Sequence, residues 1–565
     1  MFHLRQSKTK FLNFNEIYFR APILIVLFSQ GLLLIFSNFK TSLMAHDEGW
    51  YTTLALGMVQ SQDWLSPTWW GDIIYDKTSG LHWLIATALS TFSVNETSAR
   101  LPSGLACLIS VSLIYSIGAC LLNKTAALLG GICLSTVFIW TQYGQLATQD
   151  MPLIGVELIC IWTLLKAEEF PRHKHILGLI SGLCFGAGFF VKGFMVVLPS
   201  LALLPYLVFE HRRHRHLLNP GLYIGLLTGS AAVLYWFLKL WQTHGELPFQ
   251  QLFGILILAA SDDYHGVGPL YYLWNIPTSF LPWTPIALLG IFQISRPDSF
   301  KRKWLLMGYP ACLMLMLQIF PTKTLYYPLQ IYPFLALYAG FCLSKLIDLK
   351  CQASKKYRGL LKLISLFYGS AGLLLLIVNA VLMLFISLNK GFLGLEKDPK
   401  ISIYVLMTFA IGISWVGVFW LGNKRLTGNQ FNPLASAKAR VASLLIGPWL
   451  AISIAGMSGL IGDYNPDIKT FFRQPKITEI LNQNVMDVVI KDVDRESHKM
   501  WILASFYANN WGENFSDLNT FPGNHYGWVS PEFSEEISSG STSKYEIIGT
   551  IRDWNLVRKN SDKPH

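Results

Sequence analysis

Two adjacent carboxylates, Asp47 and Glu48, stand in the run Ala45-His46-Asp47-Glu48-Gly49-Trp50-Tyr51, just past an apolar stretch from Pro22 to Phe39. A carboxylate at a membrane exit can move protons for a reaction. It can also do nothing more than cap a helix or complement its first turn. The company the pair keeps favours chemistry. Lys77, Asp150, Lys192, Asp262, Asp263, His265 and Lys323 also lie beside apolar runs. Ionisable groups there are costly to bury and mark function by default. Taken singly, each has a plainer reading: lysines snorkel, and Asp150 precedes Met151-Pro152 as a cap would. Asp262-Asp263-Tyr264-His265 places oxygen and nitrogen donors close together. A divalent cation held by Asp262, Asp263 and His265 is therefore an expectation, with a surface turn as the alternative.

The elements that must position these residues are membrane helices. Of 565 residues 52% are hydrophobic and 14% charged, and the mean hydropathy is +0.39. Apolar runs of about 17–25 residues recur along the chain, the length of a bilayer crossing. The net charge of +11 gathers in short loops between these runs, which gives orientation rather than a nucleic-acid surface. The eight cysteines lie in or beside apolar runs and form no metal-type spacing, so no disulfide framework is expected. The first span reads as a retained helix, since no small-residue cleavage site precedes Asp47.

Arg5, Lys8, Lys10 and Arg20 precede the first span and place the N-terminus in the cytoplasm. Residues 45–99 then form an external loop with helical patterning near 50–60 and 80–93. Trp64, Trp69, Trp70 and Trp83 suit the headgroup region, so these helices are expected to be interfacial. Further spans are expected near 100–121, 124–143, 151–167, 175–190, 193–209, 220–241, 277–294, 304–320, 327–346, 361–387, 402–422 and 441–461. This gives about 13 helices and keeps the loops rich in lysine and arginine on one side. On this map the candidate acids and lysines share the external face. Residues 1–461 are thus a membrane module. Residues 462–565 turn polar and suit a small external α/β domain. Strands are expected at Met500–Phe506, Tyr545–Ile551 and Trp554–Arg558, and a helix near 475–490.

A series of local motifs runs through residues 20–345. It comprises Asp47-Glu48-Gly49-Trp50-Tyr51, Gly71 to Lys77, Leu81-His82-Trp83-Leu84 and Ala99-Arg100-Leu101-Pro102-Ser103. It continues with Gln142-Tyr143-Gly144, Ala147-Thr148-Gln149-Asp150-Met151-Pro152, Val191-Lys192-Gly193 and His265-Gly266. Pro269-Leu270-Tyr271-Tyr272, Pro282-Trp283-Thr284-Pro285, and Pro321-Thr322-Lys323 to Tyr326-Tyr327-Pro328-Leu329 complete it. In this order the motifs resemble the GT-C glycosyltransferases that use polyprenyl-phosphate sugars, the protein O-mannosyltransferases and lipid A aminoarabinose transferases above all. The resemblance implies a polytopic enzyme of the bacterial inner membrane with its site on the periplasmic side. It would move a sugar from a polyprenyl-phosphate donor to a lipid or protein acceptor, with inversion. Asp47, with Glu48 beside it, and Asp150 are the implied catalytic acids. Lys77, Lys192 and Lys323 are the implied phosphate contacts, whose charge would stabilise the leaving group. Tyr51, His82, His265, Tyr271, Tyr326 and Tyr327 are the implied substrate contacts. One departure stands out: the family pattern Lys-Pro-Pro-Leu reads Lys77-Thr78-Ser79-Gly80-Leu81 here.

Two other classes compete. A transporter or lipid flippase would place charges near the bilayer midplane in broken, repeated helices, and no such repeat is visible. A non-catalytic scaffold leaves the grouping of Asp47, Lys77 and Asp150 unexplained.

Overall fold

The computed structural model describes residues 14–261, 268, 270–295, 302–348, 351, 354–387, 400–422, 433–508, 510–533, 536–537 and 544–560. It is mainly helical. The elements nearest the acids are α1 (Phe14–Phe36), α2 (Trp50–Ser61), α3 (Gly80–Phe92), α4 (Glu96–Leu121) and α5 (Lys124–Ser135). They are followed by α6 (Phe138–Tyr143), α7 (Asp150–Glu169), α8 (Lys174–Lys192) and α9 (Pro220–His244). The two helices expected in the first loop are α2 and α3. Local chemistry sets the boundaries. Asn95 caps α4 by accepting from Ser98 N at 2.9 Å, and Asn123 caps α5 by accepting from Ala126 N at 2.8 Å. Gly193, at φ 56, ends α8 and turns the chain into shorter helical pieces.

Among the described residues six helical stretches are long and apolar enough to cross a membrane, and five shorter apolar helices accompany them. The protein is a multi-pass membrane protein. Its main core joins α1, α4, α5 and α7 to residues 271–346, with Trp140 and Trp283 fully enclosed.

Glycines bring α8 and α9 into backbone contact. Gly178, Gly182 and Gly186 on one helix face Gly221, Gly225 and Gly229 on the other, each set at four-residue spacing. A Cβ added at Gly182 would lie 2.2 Å from the Leu222 carbonyl oxygen, and one at Gly225 would lie 2.1 Å from that of Leu179. Small residues at this period let membrane helices approach without any hydrophobic drive between them. Because Lys192 ends α8, this seam also positions the site. Gly182→Val is expected to cost roughly 1–3 kcal/mol by overpacking. It should lower the thermal unfolding midpoint in detergent, whereas Gly→Ala at Gly254, where an added Cβ meets nothing within 4 Å, should not.

The tail forms a five-stranded sheet whose strands, in spatial order, are Trp511–Phe515, Met486–Val489, Tyr526–Val529, Trp554–Lys559 and Tyr545–Ile551. The strands are β3 (Met486–Val489), β4 (Trp511–Phe515), β5 (Tyr526–Val529), β6 (Tyr545–Ile551) and β7 (Trp554–Lys559), while β1 (Thr68–Trp69) and β2 (Asp72–Ile73) form a short ribbon in the first loop. β3 pairs in parallel with β4 and β5, and β7 antiparallel with β5 and β6. The strands expected at Tyr545–Ile551 and Trp554–Arg558 are β6 and β7. The one expected at Met500–Phe506 is instead part of a helix, α10 (Arg495–Ala508). Every residue from Met500 to Phe506 is buried, between the sheet and the first loop, so the segment is enclosed on all sides. A continuous apolar run does not separate a buried strand from a buried helix. Asp494, which accepts from Ser497 N at 2.7 Å, was the available helix-start signal. The helix expected near 475–490 stops at Gln483, and Met486–Val489 continue as β3.

This tail shares a core with the first loop: Leu43, Tyr51, Leu54, Trp69 and Trp70 pack with Phe471, Trp501, Ile502 and Trp528. Trp69 and Trp70 both donate their indole N–H to Ser505 Oγ, at 3.1 and 2.8 Å.

Candidate functional site

Asp47 lies in a tight turn, residues Ala45–Gly49, between α1 and α2. Its φ of 60° and ψ of −86° are close to the strained form of the γ-turn, which non-glycine residues rarely adopt. Such a conformation costs on the order of 1–3 kcal/mol and survives only where its surroundings over-determine it. Glu48 does so. Its carboxylate accepts from Met44 N at 2.9 Å and from Ala147 N at 3.1 Å. It is also paired in a bidentate manner with Arg100, Nε to Oε1 at 2.6 Å and Nη2 to Oε2 at 2.9 Å. Both side chains are fully buried. The remaining Arg100 donors reach Phe39 O, Thr41 O, Thr41 Oγ1, Ser42 O and Gly462 O. One ion pair therefore ties together the end of the first span, the turn of Asp47, the approach to Asp150 and the start of the tail.

Asp47 and Asp150 face one cavity of about 360 Å³. Its walls carry Asp47, Tyr51, Lys77, Tyr143, Thr148, Gln149, Asp150, Lys192, Ile255, Thr322, Thr324, Tyr326 and Tyr327. Asp150, at the start of α7, accepts from Lys192 Nζ at 2.5 Å. The same ammonium lies 5.4 and 5.3 Å from the ring centres of Tyr326 and Tyr327, within cation–π range. Lys77 is held by Asp76 at 3.3 Å, and Asp76 also accepts from the Trp50 indole at 2.8 Å.

Lys77 is followed by Gly80, which packs directly on the end of α8. A Cβ there would fall 2.4 Å from the Phe190 carbonyl.

Electrostatics follow from burial and from the four charges. Burial raises the Asp47 carboxyl above its ordinary 3.8, Asp150 adds to the rise, and Lys77 and Lys192 oppose it. Burial, then Asp47 and Asp150, keep the Tyr326 phenol protonated well above the usual range, and burial and Asp47 do the same for Tyr51. These phenols are hydrogen-bond donors at any working pH.

Of the residues singled out from sequence, Asp47, Asp150, Lys77, Lys192, Tyr51, Tyr326 and Tyr327 meet at the cavity. Glu48 turns away from it to Arg100. His82 is fully buried behind Tyr51, ring centres 5.9 Å apart, and burial lowers its pKa to about 4. Lys323 is turned away in an extended stretch whose neighbours Thr322 and Thr324 line the wall, and its Nζ donates to Phe320 O at 2.7 Å. Tyr271 packs on Tyr272 and Trp274 and pairs with Asn275. Its neighbour Tyr272 is the one that supports the wall, accepting from Thr324 N at 3.1 Å. Asp262, Asp263 and His265 lie outside the described residues. Among the described residues no group of three or more His, Cys, Asp or Glu is placed to hold a metal. Tyr143, Thr148, Gln149, Thr322 and Thr324 line the cavity without having been singled out, although all five stand inside the motif strings.

The architecture is a helical membrane module with a small α/β tail and a cavity that pairs acids with lysines. Comparison with known proteins shows what the chain is similar to. The family model of dolichyl-phosphate-mannose-protein mannosyltransferases matches residues 76–236. An undecaprenyl phosphate-alpha-4-amino-4-deoxy-L-arabinose arabinosyl transferase of Pseudomonas aeruginosa is 28% identical over 311 residues, 51% of this chain and 54% of that protein. A relative of the same name from Pseudomonas fluorescens is 27% identical over 482 residues, 82% of this chain and 76% of that one. The chain thus spans about half the length of the first relative and about three quarters of the second. The crystal structure of ArnT from Cupriavidus metallidurans bound to undecaprenyl phosphate superposes with a TM-score of 0.68 at 16% identity, covering 98% of this chain and 100% of that one. The chain therefore shares the fold of that structure, and its sequence is similar to these transferases over the stretches given.

Proposed function

We propose that this protein transfers a sugar from a polyprenyl-phosphate donor to a lipid or protein acceptor, at the external face of the inner membrane. The observation that carries the reading is the meeting of Asp47 and Asp150 with Lys77 and Lys192 in one cavity. The names of the curated relatives support an undecaprenyl phosphate-linked aminopentose as donor, and the family likeness supports a lipid A-like acceptor.

In this reading the acceptor oxygen attacks the anomeric carbon as the bond from that carbon to the phosphate oxygen breaks. The bonding electrons leave with the phosphate, which gains negative charge that Lys77 and Lys192 meet. Asp47 takes the acceptor proton, or orients an acceptor that is already an anion. Asp150 holds Lys192 in place. A single displacement inverts the anomeric centre. The phenols of Tyr51, Tyr326 and Tyr327 line the space where the sugar sits and donate to its oxygens.

The test is transfer in nanodiscs from an undecaprenyl-phosphate sugar to envelope glycolipids, read by mass. A glycolipid heavier by one sugar, formed together with free undecaprenyl phosphate, is the expected result. Neither product forming would refute the reading. The pH dependence has a definite sign. Asp47 must be deprotonated to act as base and its carboxyl is raised, so the rate should fall as pH drops through a midpoint above 3.8. A single-turnover profile flat down to that value contradicts the role.

A further inference from the structure

The residue before Asp47 touches the tail. The His46 ring stacks on that of His498 from α10, with centres 5.6 Å apart and planes at 28°. Trp50 and Trp69 enclose His498 at 5.3 and 5.5 Å. His46 Nε2 is buried without a hydrogen-bond partner among the described residues. The charged groups facing the pair are Arg495 and Lys499 on α10 and Asp47 on the turn. Glu496 accepts from Lys499 at 3.4 Å, and Asp76 is engaged by the Trp50 indole and Lys77.

We propose that His498 is a positioning residue for sugar transfer: by stacking on His46 it clamps the strained turn of Asp47, and acidification releases the clamp. The proposal rests on the function above only in taking Asp47 as the working acid; the clamp itself is a matter of structure. A φ of 60° at Asp47 has to be held from both sides. Glu48 and Arg100 hold it on the membrane side; on the tail side the histidine stack holds it, beside Ile502, which packs against Gly49.

The clamp requires neutral rings. Burial disfavours the charged form of both imidazoles. Arg495 and Lys499 reinforce this at His46, where Asp47 and the Arg495 backbone oppose it, and His46 reinforces it at His498. Two imidazolium rings at this separation, with Arg495 and Lys499 beside them, repel. The turn can then relax to negative φ and withdraw Asp47 from the cavity. The other ties between tail and loop persist, among them Ser42 with Asp463 and Leu43 N with Tyr507, so the response is confined to the turn.

Hydrogen exchange on the full chain in nanodiscs tests this. The amides of Gly49 and Trp50 donate within the turn, and that of Met44 donates to Glu48. Their protection factors, corrected for intrinsic rates, are expected to fall roughly ten-fold or more in the wild type between about pH 7.5 and about pH 4.5. His498→Phe keeps a neutral ring and should stay protected at both values, with kcat retained at the higher pH. His498→Lys carries a fixed charge and should lose protection already at the higher pH, with kcat falling more than KM rises. Unchanged protection in the acidified wild type, or an equal loss in His498→Phe, would overturn the clamp. Those two proteins decide the matter even if His498→Lys fails to fold. Since the readout needs no substrate, failure of the transferase reading would be distinguishable from failure of the clamp.

Discussion

Asp47→Asn should reduce transfer by roughly 10²–10⁴-fold, the range a positioned general base contributes. The loss should fall on kcat, with donor binding retained. The substitution keeps the side chain's size and removes its charge, and the turn's own hydrogen bonds come from Glu48, Met44 and Gly49. The folded state should therefore persist, and thermal unfolding in detergent should move little. The size of the effect also identifies the acceptor chemistry. A hydroxyl acceptor must lose a proton and needs the base. A phosphate acceptor is already an anion, and the loss should then lie at the lower end of the range. Parallel assays with a hydroxyl-bearing and a phosphate-bearing glycolipid separate the two. Full activity in the variant with both acceptors would remove Asp47 from the chemistry.

Glu48→Gln and Arg100→Met should do something different in kind. Removing one partner of a buried ion pair strands the other's charge and costs on the order of 3–5 kcal/mol. Glu48 and Arg100 are fully buried, and Arg100 also satisfies four backbone carbonyls, on Phe39, Thr41, Ser42 and Gly462. Either variant should show a lower unfolding midpoint together with lost activity, and the double variant should be less damaged than the sum of the singles. A Glu48→Gln protein of unchanged stability that loses only kcat would instead put Glu48 in the reaction. The neighbours Asp47 and Glu48 are thus expected to separate cleanly, one failing in rate and the other in folding.

This division of labour was the part of the site least open to reading from sequence. Both acids sit in one motif, and what parts them is Arg100, distant along the chain and brought across by α4. Arg100 itself stood in a motif string, but nothing local says that its charge is buried. The convergence of Asp47, Asp150, Lys77 and Lys192 was legible, because all four adjoin apolar runs whose ends the positive-inside pattern places on one side. Lys323 shows the limit of that logic. Being next to a span fixes depth, while the alternation of an extended strand decides direction, and Thr322 and Thr324 took the cavity side. The helices α2 and α3 of the first loop were clear from their period. The α8–α9 seam was missed although its glycines are plain to see, since a four-residue glycine period matters only once the two helices are known to face each other. In the tail, Met500–Phe506 reads as a strand by composition and folds as a helix because it is enclosed on every side.

The central claim is that the polyprenyl phosphate leaves from the cavity walled by Lys77, Lys192, Asp47 and Asp150. An experimental structure of the full chain with undecaprenyl phosphate bound tests it most directly. The account predicts phosphate density in contact with the ammonium groups of Lys77 and Lys192 and on the same side of the bilayer as Asp47. Phosphate density outside this cavity, with both lysines still paired only to Asp76 and Asp150, would contradict it.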